Sequence, residues 1–291
     1  MLDVNRHWTA GALLREATRV LEAKGLPEAR RAAEWMLEAL FECSRAQLFA
    51  YPEREATPEH IQGLATMLAR RVQREPVQYI LGHADFYGMR LRITPDVLIP
   101  RPETEQVVEA ALGLVQDGPP ARFLDIGTGS GCIALALKHE RHDAEVHACD
   151  VSEAALAVAR ANAAAHDLDV LFFQADVLAS GFAERAPGRL DLIISNPPYV
   201  PVNEAGDLAP EVRDFEPHLA LFSGNDPLRF YRAIVRHACS LLVPGGLLVF
   251  ETHRDHAPEV GDLLDGAGFD DVQRRRDLAG CLRIVYARFH P

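Results

Sequence analysis

The sequence predicts an α/β protein: a small N-terminal helical bundle, then a mostly parallel sheet wrapped by helices on both faces. Three observations carry this expectation. Apolar residues recur at helical spacing, with no strand pattern, from residue 8 to about 75. Residues 76–100 then alternate and carry β-branched and aromatic residues. From about residue 101 onward, short apolar runs of strand length alternate with helical stretches.

In the first region Leu13, Leu14, Ala17, Val20 and Leu21 share one helix face, with Thr9 placed to cap it. Gly25-Leu26-Pro27 breaks the pattern. Arg30 to Phe41 is a second amphipathic helix with Ala33, Met36, Leu37 and Leu40 inward. Tyr51-Pro52 is a further break. Thr57 before Pro58 reads as an N-cap with a first-turn proline, and Ile61, Leu64, Ala65 and Leu68 continue that helix. These helices make a bundle over residues 1–75. Residues 76–100 read as a β-hairpin connection with Phe86–Tyr87 and Leu91–Ile93 as its arms. Residues 101–291 form the α/β domain. Its strands are expected at Arg122–Ile126, Glu145–Ala148, Asp169–Phe173, Leu190–Ser195 and Leu247–Glu251, with helices at Ile133–Lys138 and from Ser152 to about Ala165. Asp271–Arg275 and Arg283–Phe289 close the chain as an antiparallel pair.

Composition narrows the function classes. The 291 residues are 48% hydrophobic and 25% charged, the balance of a globular protein rather than a disordered or fibrous one. The formal charge of −12 argues against a nucleic-acid backbone as the main partner. No run approaches the length of a membrane span, and no basic stretch followed by an apolar run marks a signal peptide. Cys43, Cys132, Cys149, Cys239 and Cys281 are odd in number and scattered, which fits reduced, mostly buried cytosolic thiols. His139, His142 and His147 lie close in sequence, but nothing completes a metal site, and a solvated surface is the expectation. The basic runs Arg70-Arg71 with Arg74, and Arg274-Arg275-Arg276, read as solvated faces that are also placed to meet a partner.

The strand ending Phe123-Leu124-Asp125-Ile126 runs into Gly127-Thr128-Gly129-Ser130-Gly131 and a helix. Glycines there permit tight bends and leave room for a ligand against the main chain. Asp150 ends the next strand, where a carboxylate accepts both hydroxyls of a ribose. Dinucleotides and S-adenosylmethionine both use this geometry. The G-x-G-x-G spacing departs from the dinucleotide G-x-G-x-x-G. Asp125 before it suits a cationic ligand and would repel a pyrophosphate. After the third strand, Asp176 is placed for an adenine amino group and Val177 for a main-chain N–H contact.

The fourth strand empties into Asn196-Pro197-Pro198-Tyr199. Ligands of open α/β sheets sit at the carboxyl ends of strands, so this motif belongs beside the glycine loop. Asn196 offers an amide oxygen, Pro197 a carbonyl and Tyr199 an aromatic face, while the prolines offer no N–H. Two acceptors suit a planar –NH2, orient its nitrogen toward a methyl donor, and stabilise the charge that develops on attack. Tyr199 would stack on the substrate and lend its π-face to the cationic donor.

With these motifs the chain resembles class I S-adenosylmethionine-dependent methyltransferases. More narrowly, it is similar to the HemK/PrmC family of peptide chain release factor N5-glutamine methyltransferases. The resemblance spans essentially the whole chain. It rests on Glu75–Gly82, Phe86-Tyr87-Gly88, the run Val97 to Glu105, the glycine loop, Asn196–Tyr199 and Val212–Pro217. It implies a Rossmann-like, mostly parallel seven-stranded sheet with an antiparallel C-terminal strand. It implies methylation of the glutamine in the Gly-Gly-Gln motif, with S-adenosyl-L-methionine as donor and S-adenosyl-L-homocysteine as product. It carries cofactor contacts onto Gly127, Thr128, Gly129, Ser130, Gly131, Asp150, Val177 and Asn196, and substrate contacts onto Asn196, Pro197, Pro198 and Tyr199. It also implies that the bundle grips the release factor and that the Ile99–Glu105 loop lies over the site. Arg101 and Glu103, standing before the first helix of the domain, are either substrate contacts or an ion pair fixing that loop. A cytoplasmic monomer with no nucleic-acid substrate and no membrane partner is expected. Phe250-Glu251-Thr252-His253 stands where such proteins usually carry an E-x-G run, and Asn225-Asp226-Pro227-Leu228 where D-G-L is common. A ribosomal-protein glutamine methyltransferase and a nucleic-acid amine methyltransferase share the Asn196–Tyr199 chemistry. The second also needs base flipping and a basic cleft.

Overall fold

A computed structural model describes residues 6–115 and 121–290 of the chain. The first five residues, part of the stretch read above for a signal peptide, lie outside the described residues. The chain divides into two compact units. The first runs to Gly82 and takes in Ala209–Phe215; the second holds His83–Leu208 and the chain from Glu216 onward.

In the first unit helices α1 (Ala10–Ala23), α2 (Ala29–Leu40), α3 (Arg45–Ala50), α4 (Pro58–Val72) and α5 (Val77–Leu81) follow one another. Thr9 caps α1 by accepting the Ala12 N–H at 3.3 Å. Thr57 caps α4, with Pro58 in its first turn, as the sequence predicts. Leu13, Ala17, Leu21, Ala33, Met36, Leu37 and Leu64 are fully buried and form the core. Helix α5 stands where extended chain was expected. Its Val77 and Ile80 pack into the bundle core, a long-range gain that a five-residue pattern does not display. Glu34 is buried within hydrogen-bonding distance of Arg30, Arg31 and Arg45. Burial alone would raise its pKa, but the three guanidiniums outweigh burial and hold it low.

The second unit opens with a hairpin of β1 (His83–Phe86) and β2 (Met89–Arg92). Tyr87 and Gly88 form its turn rather than an arm, both at positive φ, 50° and 75°. That pair of left-handed residues matches the twist of a two-residue hairpin loop. Next come α6 (Pro102–Leu114), β3 (Arg122–Ile126), α7 (Cys132–Glu140), β4 (Glu145–Asp150), α8 (Glu153–Ala165), β5 (Val170–Gln174), α9 (Phe182–Arg185), β6 (Leu190–Ser195) and β7 (Val200–Pro201). Helix α10 (Pro210–Phe215) belongs to the first unit, where its Glu211 meets Arg71 at 3.3 Å and Arg74 at 3.1 Å. Arg71 is therefore a buried structural cation, not part of a solvated face. The chain continues through α11 (His218–Leu221), β8 (Phe222–Gly224), α12 (Arg229–Leu241), β9 (Leu242–Glu251), α13 (Ala257–Gly266), β10 (Phe269–Arg276) and β11 (Leu282–Phe289). Arg274 likewise lies against α13, 2.8 Å from Asp262.

The seven-stranded sheet has the order β10-β11-β9-β6-β3-β4-β5. All pairs from β9 to β5 are parallel, and β11 runs antiparallel to both its neighbours. This is the mostly parallel sheet with a reversed C-terminal strand. Helix α6 begins at Pro102, so Glu103 sits in its first turn rather than before it. The core gathers Leu124, Ile193, Tyr231, Leu248, Phe250 and Val285, all at 1% exposure or less. Fully burying one such side chain stabilises the fold by roughly 1.5–3 kcal/mol. Cys149 is the buried cysteine; the other four are half-buried. His139 and His142 are exposed, and His147 is half-buried, 2.6 Å from Glu145. Among the described residues no helix is long and apolar enough to cross a membrane.

Candidate active site

Strand order reverses at β3. The chain leaves β3 for β4 and β5, then returns to β6 on the other side of β3. Ligands of open α/β sheets bind at such a switch point, beyond the carboxyl ends of the strands. The glycine loop follows β3, and Asn196-Pro197-Pro198 follows β6. A cavity of about 270 Å³ lies between them.

The loop is held by its own backbone. Gly127 and Thr128 donate their N–H groups to the Cys149 carbonyl at 2.9 and 3.0 Å. Gly127, Gly129 and Gly131 all adopt positive φ, which is why glycine stands at each. A Cβ on Gly127 or Gly129 would meet nothing within 4 Å, so both leave open space for a ligand on the cavity wall. Gly131 differs. A Cβ there would come 3.2 Å from Ala159 and 3.3 Å from Leu135, so it serves helix packing. Asn162 of α8, buried at 1%, donates to the Ser130 carbonyl at 2.9 Å and pairs with the backbone of Arg92. No sequence signal singled out Asn162, because both partners are distant in the chain.

Asp150 closes the loop from β4. Its Oδ2 accepts the Gly129 N–H and its Oδ1 the Ser152 N–H, each at 2.9 Å. Burial raises its pKa, and the N–H groups of Ser152, Gly129 and Val151 oppose that rise. Asp176 lies on the same wall, with Oδ1 accepting the Leu178 N–H at 2.8 Å. The cavity thus brings together Gly127, Gly129, Asp150, Asp176, Val177, Asn196, Pro197 and Pro198.

Seven other expected residues do not line it. Thr128, Ser130 and Gly131 form the far side of the loop. Asp125 does not face the ligand space. It is fully buried, with Oδ2 accepting from the Thr128 hydroxyl at 2.6 Å and the Ala134 N–H at 3.3 Å. Its Oδ1 has no partner among the described residues. Tyr199 is half-buried, its ring 5.8 Å from that of His253, and burial pushes its phenol up to about 12. Arg101 pairs with Glu216, and Glu103 lies in the first turn of α6. The sequence reading missed the opposite wall, made by Pro95–Leu98 and by Pro217, Leu219 and Ala220. Those runs are proline-flanked, but nothing local in them shows that they meet.

Two buried carboxyls carry a pH prediction. Burial pushes Asp125 up to about 7 against the bonds from Thr128 and Ala134. Burial likewise pushes Glu251 up to about 7 against the Thr104 hydroxyl, 2.6 Å away, and the charge of Arg283. Each group holds more protons folded than unfolded between about pH 4 and about pH 7, so its contribution to stability falls as pH rises through that window. Replacing both by their amides, Asp125→Asn with Glu251→Gln, is expected to flatten the fall in Tm between about pH 5 and about pH 7.5. Parallel Tm curves for the two proteins would refute the assignment.

Comparison with known proteins places this geometry. The PrmC N-terminal domain profile matches residues 12–82, and a methyltransferase small domain profile matches residues 111–210. A release factor glutamine methyltransferase of Chlorobaculum tepidum is 42% identical over 278 residues, covering 93% of this chain and 94% of that protein. One of Cereibacter sphaeroides is 44% identical over 279 residues, covering 96% and 98%. A methyltransferase structure from Pyrococcus furiosus superposes with a TM-score of 0.53 at 17% identity, covering 78% of this chain and 100% of that one, a likeness of fold alone.

Proposed function

We propose, from the premise that this chain belongs to the release factor glutamine methyltransferase family, that it methylates the side-chain amide nitrogen of the glutamine in the Gly-Gly-Gln motif of release factors. The product is N5-methylglutamine. One observation carries the reading: Asn196, Pro197 and Pro198 share a single cavity with Gly127, Gly129 and Asp150.

The residues present fit S-adenosylmethionine. Asp150 is placed for the ribose hydroxyls, Asp176 and Val177 for the adenine, and the open faces of Gly127 and Gly129 for close approach. When bound, this group supplies the electrophilic methyl. Asn196 and the Pro197 carbonyl accept the two amide hydrogens of the glutamine and aim its nitrogen. An amide nitrogen is a poor nucleophile because its lone pair is delocalised. Fixed acceptors meet the positive charge that grows as the lone pair is used. The methylated nitrogen is far more acidic than the amide and releases its proton to water, so no strong base is required. Tyr199 stays a neutral phenol. The helical first unit grips the release factor.

The test is methyl transfer from labelled S-adenosylmethionine to a purified release factor, beside the same factor with its Gly-Gly-Gln glutamine replaced. Label on the intact factor alone, placed on the glutamine side chain by mass spectrometry, is expected. Label on ribosomal protein or nucleic acid instead would keep the fold and move the substrate.

A further inference from the structure

Glu216 is 3% exposed and is no part of the chemistry described above. Its two carboxylate oxygens face one short stretch of chain. Oε2 accepts the N–H of Ile99 at 3.2 Å. Oε1 accepts from the Arg101 guanidinium. The partners lie 117 and 115 residues away in sequence. Each end of this contact adjoins a wall of the cavity. Pro95–Leu98 immediately precedes Ile99, and Pro217 immediately follows Glu216, with Leu219 and Ala220 just beyond. Both wall segments are short. Pro95–Leu98 is irregular, and Leu219 and Ala220 lie in a four-residue helix. Local hydrogen bonds shape each one, Val97 N–H to Thr94 and Ala220 N–H to Pro217, but these do not tie one segment to the other. The Glu216 carboxylate does.

We infer that Glu216 is a positioning residue for the cofactor: it clasps the Pro95–Leu98 wall to the Pro217–Ala220 wall and thereby sets how tightly the cavity retains an adenosyl ligand. This rests on the reading of the cavity as the S-adenosylmethionine site. A charge-assisted bond to guanidinium is about twice as strong as a neutral one, and this one is buried at the carboxylate. Without it the two walls lose a buried, charged tie that spans them. The ligand would then have to order them on binding, at a cost to affinity.

Glu216→Gln is the informative variant. It keeps the shape, and with its one oxygen on the Ile99 N–H it turns an uncharged NH2 group toward Arg101. Binding of S-adenosylhomocysteine is read by calorimetry, and backbone hydrogen exchange by mass spectrometry. The dissociation constant is expected to rise about tenfold. Exchange should quicken in residues 95–101 and 217–221 and stay unchanged at the glycine loop. The KM for S-adenosylmethionine should rise by about the same factor, with kcat changed less than about twofold. A merely structural role would instead lower Tm without altering the affinity of the folded protein. Wild-type protein that failed to bind S-adenosylhomocysteine would overturn the cofactor reading itself. Wild-type binding matched by equal binding in Glu216→Gln would overturn the clasp alone. Should Glu216→Gln not fold, Arg101→Gln removes the same ion pair while leaving the Ile99 bond, and its affinity is read in the same way.

Discussion

Asn196→Ala is expected to lower kcat for methyl transfer by a hundredfold or more, while raising the dissociation constant for S-adenosylhomocysteine only a few-fold. The asymmetry follows from position. Asn196 lines the cavity just past the carboxyl end of β6, the strand next to β3 at the switch point. The two residues after it are prolines and bring no N–H, so the local set of groups is dominated by acceptors. Acceptors matter little to a resting amide, which water solvates well. They matter most when the nitrogen becomes cationic, and fixed groups in a dry site act on that charge without having to reorganise. Removing one oriented partner of a developing charge typically costs on the order of a hundredfold or more in rate. Ser195, fully buried, bonds its hydroxyl to the Ile126 carbonyl at 2.6 Å and ties the end of β6 to β3. The backbone frame of the motif is therefore fixed independently of the Asn196 side chain, and the variant should fold. Single-turnover transfer to a release factor at saturating cofactor measures the loss directly. Turnover equal to wild type would remove Asn196 from the chemistry.

Local chemistry made much of this legible in the sequence, and long-range packing hid the rest. Strand Arg122–Ile126 and strand Leu190–Ser195 match their expected bounds. Each is a mostly apolar run closed by a residue class that ends strands, glycine in one case and Asn-Pro in the other. The glycine loop and Asp150 were readable for the same reason, since their spacing encodes a turn and the next strand end. What failed was direction. Asp125 points into the protein because the Thr128 hydroxyl and the first turn of α7 capture it, and residue type alone does not state a rotamer. Helix α5 carries β-branched Val77 and Ile80 and aromatic Tyr79, which favour extended chain. Contacts with the bundle core override that propensity. Glu216 and Thr104 were invisible as partners, since Ile99 and Glu251 lie 117 and 147 residues from them. No periodicity links such pairs, and only the folded sheet brings them together.

Asp150→Ala should raise the dissociation constant for S-adenosylhomocysteine by about a hundredfold, the scale set by losing hydrogen bonds to a charged acceptor. Both carboxylate oxygens already have one partner, the N–H groups of Gly129 and Ser152. Those bonds fix the plane of the carboxylate, and each oxygen keeps a second lone pair for a ribose hydroxyl. The alanine variant loses the ribose contacts and also frees the Gly129 N–H, so part of the effect comes from a looser loop. The two parts separate with a second ligand. An S-adenosylhomocysteine analogue lacking the 2′-hydroxyl should bind wild-type protein more weakly than the parent compound does. Against Asp150→Ala the two compounds should bind alike, because the group that distinguished them is gone. Loss of the hydroxyl penalty in the variant would assign the ribose to Asp150, whatever the loop contributes. An equal penalty in both proteins would place the ribose elsewhere in the cavity and leave Asp150 as a brace for Gly129.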